Sequence, residues 1–134
     1  MTQKDPGYQL VLISRLSEIC DPFVTPPWEG VASLTLEGVR QAIEDELHLR
    51  QPYSARARSK PWSVIDHIAR IAYLATAGWE DPIQIDVAIP SDAGWADWMI
   101  SDGNHRLAAA IVRGDKTILA HITGCSDHVR KLLG

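Results

Sequence analysis

The sequence predicts a mixed α/β (α+β) chain, and three observations predict it. Apolar residues recur at three and four positions between Val64 and Ala75, apolar and polar residues alternate over 83–89, and the last third runs strand, helix, strand, helix. With 134 residues, 46% of them hydrophobic, there is material for one core and too little chain for two ordinary domains.

Taken in order, residues 8–16 carry the run Leu10, Val11, Leu12, Ile13 and read as a short buried strand. Pro22, Pro26, Pro27 and Gly30 make 21–30 a loop, because proline cannot donate to a ladder. Residues 35–49 read as a helix, with Leu36, Val39, Ile43 and Leu47 on one face and Glu37, Arg40, Glu44 and Asp45 on the other. A break follows over 51–61, bracketed by Pro52 and Pro61, where Arg56, Arg58 and Lys60 form a basic stretch without an acidic neighbour. Ser63 and Asp66 have the spacing of a capping box and open the clearest amphipathic helix, which Gly78 stops. Ile83, Ile85, Val87 and Ile89 then form a strand buried on one face. A strand over 95–101, a helix over 104–113 ended by Gly114, a strand over 117–123 and a short helix over 127–133 capped by Ser126 complete the chain.

The totals exclude several function classes. A formal net charge of -4 argues against a general nucleic-acid binder, which needs a basic face against phosphate, but leaves a small nucleotide open. Two cysteines, Cys20 and Cys125, without a Cys-x-x-Cys spacing, argue against a disulfide scaffold or a zinc ribbon. The polar N-terminus and the longest apolar run, 107–112, point to no signal peptide and no membrane span, so the expected place is the cytoplasm. None of the five histidines pairs with another histidine at helical spacing, which argues against zinc. No P-loop, nucleophile elbow or dinucleotide fingerprint occurs. The five tryptophans fit core or interface packing, and one of them could also stack on a base.

Polar chemistry concentrates at Asp102-Gly103-Asn104-His105-Arg106, where a strand stops and a helix starts. The first N–H groups of a helix lack an internal acceptor and the helix dipole adds positive charge there, so a phosphate fits. Gly103 permits positive φ or close backbone approach, and Asn104 and His105 occupy the first turn. The Arg106 guanidinium can bond two phosphate oxygens at once. Asp102 repels phosphate unless it holds Mg²⁺, orients His105 or Arg106, or accepts a proton. Each group also has a structural role open to it: Asp102-Gly103 as a turn, Asn104 as an N-cap, Arg106 as the partner of Asp102.

From about residue 51 onward the sequence resembles the ParB/sulfiredoxin superfamily. Pro52-Tyr53-Ser54-Ala55-Arg56 looks like the Pro-Tyr-Gln-Pro-Arg opening of ParB N-terminal domains, and Pro82-Ile83-Gln84-Ile85 is similar to their Pro-Ile strand. Asp102-Gly103-Asn104-His105-Arg106 resembles the Gly-x-x-Arg phosphate loop and, most of all, the Asp-Gly-His-His-Arg of free-serine kinases and many plasmid or phage ParB-like proteins. The ending from Cys125 looks like the sulfiredoxin C-terminus.

The resemblance implies a ParB/sulfiredoxin-like fold, a small mixed sheet packed with helices, over 51–134, with 1–50 as an N-terminal extension of the same domain. It implies binding of ATP or CTP, with hydrolysis or phosphate transfer. Gly103, Asn104, His105 and Arg106 would hold phosphates, with Arg56 and Arg58 closing over them; Asp102 and His105 would act in catalysis, Asp102 through Mg²⁺. Asn104 stands where sulfiredoxin has its nucleophilic cysteine, which argues against sulfinic-acid reduction. The helix-turn-helix that follows this unit in ParB is not in the sequence, which argues against DNA binding by this chain alone. A kinase would need a further acidic base, for which Glu44, Asp45 and Glu46 are the candidates. Two other classes stay open: a plasmid or phage accessory protein that binds a protein partner through Trp28, Trp79 or Trp95, its loop degenerate, and a ParB-like nuclease.

Overall fold

A computed structural model describes residues 8–24, 34–47, 64–87, 100–124 and 126–133. The elements in chain order are β1 (Tyr8–Leu12), α1 (Ile13–Cys20), α2 (Leu36–Glu44), α3 (Val64–Ala77), β2 (Ile83–Asp86), β3 (Ile100–Asp102), α4 (Asn104–Arg113), β4 (Thr117–Thr123) and α5 (Ser126–Leu133). The class is mixed α+β, as the periodicities predict.

The four strands form one sheet in the order β1-β4-β2-β3. β1 runs antiparallel to β4, β4 parallel to β2, and β2 antiparallel to β3, with an irregularity between Gln84 and Ile85. Strict alternation in β4 turns Ile118, Ala120 and Ile122 to the core and Leu119 and His121 to the outer face. The inner face packs on Leu16 of α1, Leu107 and Ala110 of α4, and Leu132 of α5. The opposite flank of α4, Ala108 and Ala109, packs on Val39 and Ala42 of α2 and Ile71, Ala72 and Leu74 of α3. The result is three layers, with α4 buried between sheet and helices; its alanines permit that close approach.

Residues 8–20 belong to this core rather than to a separate layer: β1 pairs along its length with β4, and Val11, Ile13, Leu16 and Cys20 are all buried. The expected buried strand over 8–16 needs correction. Strand pairing ends at Leu12, the Ile13 N–H bonds to Lys116 C=O at 2.9 Å, and Ile13, Leu16 and Cys20 then face the core at helical spacing. Leu10 and Leu12 sit on the outer face, 64% and 47% exposed, so the apolar run serves two periods in succession.

Other boundaries follow their caps. Thr35 accepts the Gly38 N–H at 2.9 Å and starts α2, while Glu46, at φ 55°, ends the helix short of the expected residue 49. Gly78 (φ 80°) bonds back to Leu74 C=O and stops α3, and Gly114 (φ 77°) stops α4. Ser63 and the expected strand residues 88–89 and 95–99 lie outside the described residues. α5 is fastened twice: the buried His128 Nδ1 lies 2.7 Å from Val87 C=O, and Arg15 donates to Lys131 C=O at the helix end. No helix among the described residues is long and apolar enough to cross a membrane.

Candidate functional site

The turn from β3 into α4 opens on a cleft of about 720 Å³, within the range of small-molecule sites. Asp102, Gly103, His105 and Arg106 line one side, His67, Arg70 and Leu74 of α3 another, and Tyr8, Pro82 and Gln84 the sheet end. His67, Arg70 and Leu74 meet the cleft together because spacings of three and four residues share a helix face.

Gly103 is required twice over. Its φ is 109°, and a Cβ built there would lie 2.5 Å from Ile83 Cγ2 and 3.2 Å from Ile83 Cα. The close approach it permits is to β2, which seats the start of α4 against the sheet. As N-cap, Gly103 offers no side chain to the helix, and the first backbone bond runs from Leu107 N–H to Gly103 C=O at 2.9 Å.

The Arg106 side chain is only 16% exposed. Its Nη1 donates to Asp81 C=O and Pro82 C=O, both at 3.0 Å, and its Nη2 to Asp102 Oδ2 at 3.2 Å. The carbonyl bonds hold the guanidinium against the entry of β2. The Asp102 carboxylate, 72% exposed, makes a surface pair of the kind worth about 0–1 kcal/mol, so an incoming anion can displace it.

His105 meets His67 across the two helices: Nε2 and Nδ1 lie 2.8 Å apart and the rings are within 18° of parallel. Burial, then the neighbouring His67 and the Arg70 guanidinium, hold the His105 imidazole down at about 3. Burial lowers His67 also, against the opposing pull of Asp66. Both rings are therefore neutral at physiological pH, one donating its N–H to the other's lone pair. A group at about 3 is too weak a base to take a proton near neutrality, so His105 suits the role of a neutral N–H donor.

The structure thus brings Asp102, Gly103, His105 and Arg106 to one cleft, and Asn104, half-buried, opens α4 beside them. Arg56 and Arg58 lie outside the described residues. Glu44, Asp45 and Glu46 are exposed at the end of α2 and do not line the cleft. Trp79 is half-buried with Arg113 stacked over its ring at 4.8 Å, so it is no exposed anchor; Trp28 and Trp95 are outside the described residues.

Sequence reasoning missed Tyr8, His67, Arg70 and Gln84. Only His67 carried a local signal, a polar residue within the apolar stripe of α3. Among the described residues, no three His, Cys, Asp or Glu side chains converge as metal ligands. The chain matches no protein-family model, no curated protein and no solved structure.

Proposed function

We propose that this chain is a small ParB-like nucleotide-binding domain that holds the phosphates of ATP or CTP over the start of α4 and hydrolyses the nucleotide or transfers a phosphate. The observation that carries this reading is the convergence of Arg70, Arg106, the neutral His67–His105 pair and the first turn of α4 on one cleft. Arg106 supplies its Nη2 side once Asp102 is displaced, Arg70 a second cation, and His105 a neutral N–H donor whose charge does not change near neutrality.

Asp81 and Asp102 also line the cleft, and their charge needs a cation once phosphates enter. Mg²⁺ fits, because it is commonly held by one or two carboxylates together with nucleotide phosphates, and the exposed Asp102 carboxylate supplies one. Bound there, Mg²⁺ would neutralise developing charge on the phosphates. Among the described residues, the Asp81 and Asp102 carboxylates are the groups of the cleft that could take a proton in turnover.

Calorimetric titration of the whole chain with ATP and with CTP, with and without Mg²⁺, tests this reading. Wild type binds one of them, and Arg106→Ala binds it about tenfold weaker or worse, the usual cost of losing a charged hydrogen bond. Absence of binding to either at millimolar concentration refutes the proposal. A second reading, partner binding with a degenerate loop, draws on Leu10, Leu12 and Leu119, which stand exposed on the outer sheet face where Leu10 and Leu119 are register partners. Loss of a partner on Leu10→Ser, with no effect of Arg106→Ala, would favour it.

A further inference from the structure

One row of side chains crosses the whole sheet at the cleft. Tyr8 of β1 is the register partner of His121 of β4, His121 of Gln84 of β2, and Gln84 of Asp102 of β3. Three of the four, Tyr8, Gln84 and Asp102, line the cleft. Three strand spacings separate the ends of the row, about 14 Å. That is about the reach of a nucleoside triphosphate from its base to its terminal phosphate.

The members of the row are arranged for recognition. The Tyr8 ring rests tilted against His121, with centroids 4.9 Å apart, and half of the residue stays exposed for a ligand to cover. His121 Nδ1 lies 3.1 Å from Gln84 Oε1, a bond in which the imidazole N–H donates and the amide oxygen accepts. With its oxygen engaged, Gln84 keeps its Nε2 donor on the cleft lining; among the described residues no group accepts from that nitrogen. An aromatic face beside a fixed N–H donor suits a planar heterocycle carrying a hydrogen-bond acceptor on its edge.

We infer that Tyr8 and Gln84 form the base-reading wall of the cleft, with Tyr8 stacking on a nucleobase, Gln84 donating to an acceptor on its edge, and His121 positioning Gln84. This assignment rests on the phosphate reading of the Gly103–Arg106 turn and adds the end of the ligand that the turn does not touch.

The test compares ATP, CTP, GTP and UTP with inorganic tripolyphosphate, all with Mg²⁺, by calorimetry on the full chain. Wild type prefers at least one nucleotide over tripolyphosphate. Tyr8→Ala reduces that preference about fivefold or more, as loss of base stacking does. Tyr8→Leu, which keeps an apolar strand residue without the ring, serves should the alanine variant unfold. Gln84→Glu replaces the donor by an acceptor and moves the preference toward bases bearing an exocyclic amine. Nucleotide and tripolyphosphate binding alike in wild type, or a preference that survives both Tyr8→Ala and Gln84→Glu, overturns the base wall and leaves the phosphate site standing. If neither ligand binds, both readings fall together.

Discussion

Replacing Gly103 by alanine should be among the most damaging single-methyl changes in this chain, and its cost can be divided into two parts. The residue sits at φ 109°, where an L side chain is strained by about 1–2 kcal/mol. The added Cβ would also lie 2.5 Å from Ile83 Cγ2 and 2.7 Å from Ile83 Cβ, well inside the usual carbon contact of about 3.5–4.0 Å. Ile83 is fully buried and cannot move aside freely; overpacking of this kind costs about 1–3 kcal/mol. Together the two give about 2–5 kcal/mol, a large share of the roughly 5–15 kcal/mol that holds such a domain folded.

Gly114 supplies the comparison, since it has φ 77° with nothing within 4 Å of a built Cβ, and Gly114→Ala should show the backbone part alone. Urea unfolding of both variants measures the difference. Adding Ile83→Ala removes Cγ2 but keeps Cβ, so Gly103→Ala should cost less in that background, with a coupling of about 0.5 kcal/mol or more. Equal costs for Gly103→Ala and Gly114→Ala would refute the packing account of Gly103.

Two further outcomes follow from the charges in the cleft. The unfolded chain protonates His105 near pH 6.5 whereas the folded chain holds it neutral down to about 3; this part of the stability is complete above pH 6.5 and declines as pH falls, by at most about 1.4 kcal/mol per pH unit. His105→Gln should therefore make urea stability less dependent on pH between 6.5 and 5, and an unchanged slope would contradict the burial of this ring. Asp102→Asn should shift stability by less than about 1 kcal/mol, as expected for an exposed pair. By calorimetry it should strengthen nucleotide binding without Mg²⁺ and weaken it with Mg²⁺; a change of the same sign in both conditions would remove Asp102 from the metal's path.

The elements that were legible in the sequence are those specified by neighbours a turn apart. α3, α4 and β4 lie where their periodicities put them, with Gly78 and Gly114 as the stops and Thr35 as the start of α2. The segment around Ile13 was misread because a four-residue apolar run satisfies a strand and a helix equally. At the site, the Asp102–Arg106 segment announced itself through residue type at a strand-to-helix junction. Its partners did not: His67 and His105 are 38 positions apart, and Arg106 reaches two backbone carbonyls, which no side-chain pattern reveals.

By itself the sequence determined the class, most helices and strands, and the place where charged and polar groups gather, because those depend on spacing, caps and φ within a few residues. Only the tertiary structure decided that β1 joins β4 at the sheet edge, that Gly103 is pressed against Ile83, and that Tyr8, His121, Gln84 and Asp102 fall in one row. Those relations come from strand register and layer packing, in which burial of the whole apolar set selects the arrangement and no local signal names the partners.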